Sequence, residues 1–173
     1  MDDETADPWL AALEYAGSGT LVAGQILALV GHSQFFTDFD KEDITLMAGY
    51  MEVYRARAGD VIIREADSGD FMLLLIEGTV DIVKQDPRGV QQTLTQVVPG
   101  MIIGEMSMID GEPRFATCIA AESVVFAVLT RHNMVRIIMQ RPTLAAKILI
   151  KLVSMLSQRL RQTSNRLLQY RQV

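Results

Sequence analysis

In the stretch GEMSMIDGEPRFATC, Gly104 to Cys118, one arginine, Arg114, stands among three carboxylates: Glu105, Asp110 and Glu112. A guanidinium is a planar fork of donors that suits phosphate. A carboxylate repels phosphate but accepts hydrogen bonds from a sugar hydroxyl. Gly104 and Glu105 close a strand-like run, a short turn follows, and Arg114 stands where the next strand begins. Short turns rich in backbone N–H groups also hold phosphate. A ligand with a phosphate monoanion beside a ribose hydroxyl would satisfy both side chains. The same residues would also suit a plain Glu105–Arg114 ion pair closing a loop, and spacing alone favours that simpler reading.

Other chemistry finds little support. His32 and His132 lie far apart, with no cysteine or paired carboxylate at metal-ligand spacing, so no metal site is expected. Cys118 sits among apolar strand residues and reads as a buried packing group rather than a nucleophile. Asp110 and Glu112 near Glu105 read as a solvated turn rather than an acid–base pair. No enzyme activity is expected.

The elements that must position Glu105 and Arg114 fall into three parts. Residues 1–48 read as a helical lead, with apolar clusters at Trp9–Tyr15, Leu21–Leu29 and Ile44–Met47, and with Asp40 and Asp43 spaced as a helix entry. Residues 49–130 change period: short β-rich runs end at glycine or proline turns about every ten residues, which indicates an antiparallel sandwich or barrel. Ala116–Ala120 and Val124–Leu129 read as its last strand pair. Residues 131–173 are helical, with a short helix in TRHNMVRIIMQ and a long one starting at Pro142. On the long helix Ala145, Leu149, Leu152, Leu156, Leu160, Thr163 and Leu167 share one face. That face outlasts what a small barrel covers, so a second copy of the chain is the expected partner.

Composition bounds the rest. The chain of 173 residues is 49% hydrophobic with net charge −5, as expected of a globular domain. No apolar run is long enough to span a membrane, and no Lys or Arg precedes Lys41 to serve a signal peptide. With a single cysteine, a cytoplasmic location is expected. Charge is asymmetric: seven acids and no bases precede Lys41, whereas nine bases and no acids follow Glu122. Such a pattern fits a solvated face, an acidic partner or the two chain ends docking together. Nucleic acid is not expected, because the whole chain is acidic and the basic segment lacks interleaved aromatics.

The stretch GEMSMIDGEPRFAT resembles the phosphate-binding cassette of cyclic nucleotide-binding domains, whose pattern is Gly-Glu, a hydrophobic turn, then Arg followed by small residues. YRARAGDVIIREADSGDFMLLLIEGTVDI is similar to the same family's strand run, so the resemblance covers roughly Phe35 to the C-terminus. It implies an eight-stranded antiparallel, jelly-roll-like β-roll, mainly β, with an N-terminal helical bundle and a long C-terminal helix. By this resemblance Glu105 takes the ribose 2′-hydroxyl and Arg114 the cyclic phosphate. Backbone amides around Gly104, Met106 and Ala116 complete the cradle, and Ile76 and Ile103 are candidate wall residues. RLRQTS resembles the base-contacting stretch of the bacterial cyclic AMP receptor protein, which implies base contacts from Thr163 and Ser164, supplied in part by the partner subunit; a Thr163 hydroxyl bonded back to its own helix is the equal alternative.

One position departs from the family pattern. Phe115 stands where a small residue is usual; a threonine there accompanies guanine selectivity, so the expected ligand is cyclic AMP rather than cyclic GMP. The ring must either pack away or fill the pocket, and the presence of Glu105 and Arg114 favours the former. No helix-turn-helix, kinase or channel segment follows the long helix, so the expectation is a stand-alone, homodimeric regulator. It would signal to a separate protein effector through its C-terminal helices. The alternative is a nucleotide-independent module that binds an acidic partner through its basic helix.

Overall fold

The computed structural model describes residues 8–170, with side chains from 10 to 168. Asp2, Asp3, Glu4, Asp7, the Trp9 side chain and Arg171 lie outside the described residues. Among the described residues nine strands form two antiparallel sheets. One runs β1 (Glu14–Ser18), β2 (Glu52–Ala56), β9 (Val124–Thr130), β4 (Phe71–Glu77) and β7 (Ile102–Ile103). The other runs β3 (Val61–Ile63), β8 (Thr117–Ala120), β5 (Val80–Gln85) and β6 (Gln91–Val97).

β4 explains why its sequence, FMLLLIE, does not alternate. Phe71, Leu73 and Leu75 point between the sheets, onto Ile62, Val80, Val97 and Phe126. Met72, Leu74 and Ile76 point the other way, into a second core built with the helices. A strand buried on both faces has no polar side to show.

Two expectations change. Glu14–Ser18 is a ninth strand rather than helix: it pairs with β2, and Tyr15 meets Tyr54 edge-on at 5.6 Å. The edge of β2 offers backbone groups that a strand can satisfy and a helix cannot. The runs around Cys118 and Phe126 do form strands but do not pair with each other. β8 lies between β3 and β5, and β9 between β2 and β4, in opposite sheets. Their ladders are completed by partners distant in sequence, which local pattern cannot reveal.

The helices are α1 (Pro8–Ala11), α2 (Ala23–Leu29), α3 (Lys41–Ala48), α4 (Glu105–Asp110), α5 (Arg131–Gln140) and α6 (Pro142–Tyr170). Asp40 and Asp43 form a reciprocal capping box on α3. Thr130 caps α5 by accepting from the Asn133 amide at 3.1 Å, and Pro142 opens the 29-residue α6. α6 buries Leu144, Ala145, Ile148 and Leu152 among Phe35, Phe36, Ile44 and Ile137. Lys147 pairs with Asp43, and Lys151 with Asp38, so the basic C-terminal part docks on the acidic N-terminal part. The expected single stripe therefore splits: Ala145 and Leu152 turn inward, while Leu149, Leu160 and Leu167 stay exposed.

Candidate functional site

Arg114 is 4% exposed. Its backbone is stitched to the loop before β4: Arg114 N–H donates to Asp67 O at 2.8 Å, and Ala66 N–H to Arg114 O at 2.9 Å. Nη1 donates to Phe71 O and to Gly104 O, each at 2.8 Å, and the guanidinium lies 4.3 Å above the Phe71 ring. Nη2, also buried, takes no part in these bonds. Two glycines make room for this group. A Cβ on Gly69 would lie 2.4 Å from Arg114 Nε, and one on Gly104 would lie 2.9 Å from Nη1. Gly104 has φ +81°, so it is fixed by backbone conformation as well as by space.

Glu105 opens α4, where a short helix stands in place of the expected turn. It is 1% exposed, and its carboxylate accepts from Nη1 of Arg159 on α6. Nη2 of Arg159 reaches Ile102 O at 3.1 Å. At the other end of α4, Arg131 donates from Nε to Met108 O and from Nη2 to Ser107 O, both at 2.7 Å. Both carbonyls belong to the last turn of α4; Ser107 O also accepts from the Gly111 N–H at 3.0 Å, so Arg131 adds a charged donor at the negative end of the helix. The cassette helix is thus held to α5 by Arg131 and to α6 through Arg159.

Glu105, Arg114 and Arg159 border a cavity of about 110 Å³, walled by Ile63, Ile82 and Ile103. Ile76 is not part of that wall; it faces the helical core. Cys118 lies beneath the cavity, and burial pushes its thiol up to about 12. Met106 is exposed and Ala116 buried beside the cavity. Phe115 is 56% exposed, so its ring neither fills the pocket nor packs inside. The Lys84 ammonium sits 4.2 Å from the ring centre and also donates to Phe115 O at 2.5 Å and to Glu65 at 2.6 Å. That hydrogen bond holds the Glu65 carboxyl below its ordinary range.

Of the residues expected from sequence, Gly104, Glu105, Met106, Arg114, Phe115 and Ala116 converge on this cavity. Thr163 and Ser164 do not; both are exposed on α6, about one turn beyond Arg159. Sequence reasoning missed Arg159, Gly69, Lys84 and Arg131. Arg159 had a signal: with Ile148, Leu152 and Met155 it follows the inward face of α6, where a charge needs a partner. Among the described residues no cluster of His, Cys, Asp or Glu could hold a metal ion, and no helix is long and apolar enough to cross a membrane.

A two-sheet roll that presents a Gly-Glu helix start, its glutamate buried, beside a buried arginine defines a class. The chain belongs to the cyclic nucleotide-binding domain family, which it matches over residues 53–141. It is similar to the crystal structure of a cyclic nucleotide-binding domain from Methylobacillus flagellatus, with TM-score 0.83 and 34% identity over 95% of this chain and 96% of that one. The Cyclic AMP receptor protein of Thermus thermophilus is 28% identical over 130 residues, 75% of this chain and 58% of that protein. A cAMP-dependent protein kinase regulatory subunit from Eremothecium gossypii is 30% identical over 110 residues, 64% of this chain and 23% of that protein. The chain thus spans from about a quarter to under two thirds of these curated relatives. The matched family is a regulatory ligand-binding domain rather than a catalytic one.

Proposed function

We propose that this domain senses a cyclic nucleotide, with Arg114 taking the cyclic phosphate and Glu105 the ribose 2′-hydroxyl. The observation that carries this reading is the convergence of two buried side chains of opposite charge, 4% and 1% exposed, on one apolar-walled cavity. A ligand with adjoining anion and hydroxyl engages both side chains from the one cavity that they border. The amides around Gly104, Met106 and Ala116 add neutral donors. Cyclic AMP is the preferred ligand: Phe115 offers no hydroxyl to guanine, and the two curated relatives above are named for cyclic AMP.

The domain also pairs with a second copy through α6. Leu149, Val153, Leu156, Leu160, Thr163 and Leu167 recur at alternating spacings of four and three, a coiled-coil seam, and Val153, Leu160 and Leu167 are exposed. Thr163 lies on this seam and outside its own chain's cavity, so its contact with a base would come from the partner copy. Ligand would shift α6 and so change the surface offered to a protein effector.

Titration with cyclic AMP, cyclic GMP and linear 5′-AMP tests the reading. Cyclic AMP should bind with the highest affinity, and 5′-AMP at least about tenfold more weakly, because its dianionic, unconstrained phosphate does not match the cradle. Glu105→Ala should weaken cyclic AMP more than its 2′-deoxy analogue. The small cavity favours one second reading, an interaction module held shut without nucleotide. Absence of heat with all three ligands would select it.

A further inference from the structure

We infer that Arg159 is an internal competitor for the nucleotide: it holds α6 down on the carboxylate that the ribose needs, and the ligand must displace it. This deepens the sensing reading above and rests on it. The Arg159–Glu105 contact and a ribose hydroxyl on Glu105 draw on the same buried carboxylate, whose side chain is 2% exposed. The cavity beside it, about 110 Å³, is also well short of the roughly 300–1,000 Å³ typical of small-molecule sites. A nucleoside therefore reaches Glu105 only when the wall made by Arg159 moves.

The surroundings make that exchange affordable. Arg159 is 41% exposed, so leaving Glu105 returns its guanidinium to water at modest cost, whereas the buried Glu105 would be stranded without a replacement. The ribose hydroxyl supplies that replacement. Arg159 also has somewhere to go: it borders a second cavity of about 380 Å³, between α6, the turn before β7 and Ser33, whose lining includes Gln158 and Gln162. Beyond Arg159 every described residue of α6, 160–168, is exposed. Among the described residues of α6, Arg159 is thus the last that is not exposed, and it bonds both Glu105 and Ile102 of the roll. Displacing it frees the distal half of α6, which carries Leu160, Thr163 and Leu167 of the proposed seam. Ligand binding and helix release are then one equilibrium, and its position sets the apparent affinity.

The test is Arg159→Gln, with Arg159→Lys to keep the charge, read by calorimetry with cyclic AMP and by hydrogen exchange without it. Arg159→Gln should bind cyclic AMP about 5- to 50-fold more tightly than wild type, since the competitor is gone. Arg159→Lys should fall between the two. In the absence of nucleotide, amides of residues 155–168 should exchange faster in Arg159→Gln than in wild type. Wild-type exchange there should rise when cyclic AMP is added. Unchanged or weaker binding by Arg159→Gln would overturn the inference, weaker binding marking Arg159 as a ligand contact instead. If neither protein binds nucleotide, the sensing reading fails. The exchange arm then still decides whether Arg159 ties α6 to the roll, and equal exchange in both proteins would refute that too.

Discussion

A methyl group on Gly69 would lie 2.4 Å from Nε and 2.5 Å from Nη2 of Arg114, closer than non-bonded atoms approach. The guanidinium sits where it does because the loop before β4 gives it that space. Gly69 has no left-handed φ, so alanine meets no backbone penalty there and acts only by pushing the arginine. Gly69→Ala should fold yet lose affinity for cyclic AMP by at least about tenfold, or 1.4 kcal/mol, in calorimetry. Gly24→Ala is the control. It lies in α2 with nothing within 4 Å of the new Cβ, so it should add about 0.5–1 kcal/mol of stability and leave binding alone.

Arg131 joins the cassette helix to α5 through two carbonyls of α4. Arg131→Met should leave those carbonyls without their charged donor and cost about 1–3 kcal/mol in urea unfolding. Hydrogen exchange should quicken over residues 104–111 before it does in β4 or β9. Uniform exchange across the domain would show that Arg131 supports the whole fold rather than this one junction.

The α6 seam predicts assembly. Leu152 is fully buried against the domain's own core, so a charge there would unfold the protein and say nothing about partners. Val153 and Leu160 are 61% and 68% exposed and are the informative positions. Val153→Glu with Leu160→Glu should leave stability within about 1 kcal/mol of wild type and shift sedimentation from dimer to monomer. A wild-type protein that sediments as a monomer at high concentration would remove the seam from the account.

Stability should fall at both ends of the pH scale for identifiable reasons. Glu65 has a lowered carboxyl pKa from the Lys84 hydrogen bond, so its contribution is present above the unfolded value and lost as pH falls through the lowered one. The Cys118 thiol is pushed up by burial to about 12, so its contribution is complete below the unfolded value of about 8.5. That contribution fades as pH rises toward the folded one. Lys147, raised by its hydrogen bond to Asp43, acts in the same alkaline direction. Between pH 7.5 and 10 the thiol alone should account for about 2 kcal/mol. Cys118→Ala should flatten that limb in urea unfolding; an unchanged slope would place its cause elsewhere.

The grouping of Gly104, Glu105 and Arg114 around one cavity was legible because the residues lie close together in sequence, a Gly-Glu pair and an arginine nine positions on in one short stretch. The turn-bounded β runs and the helix starts at Asp40 and Pro142 were legible for the same local reason. What escaped is long-range. β8 and β9 are adjacent in sequence yet belong to different sheets, and β1 becomes a strand only because the edge of β2 is available. Arg159 meets Glu105 across 54 positions, and Gly69 matters only because Arg114 folds back over it. Periodicity makes the stripe on α6 one face, but packing against Phe35, Phe36, Ile44 and Ile137 divides it between the core and the exposed seam.

The central claim is that the cyclic phosphate rests on Arg114, and titrating cyclic AMP into wild-type and Arg114→Gln proteins of equal helical and sheet content tests it most directly. Wild type should bind one nucleotide per chain, and the variant should lose about 2–5 kcal/mol of that affinity, the cost of leaving a buried anion without its charged partner. Equal affinity in the two proteins would contradict the account.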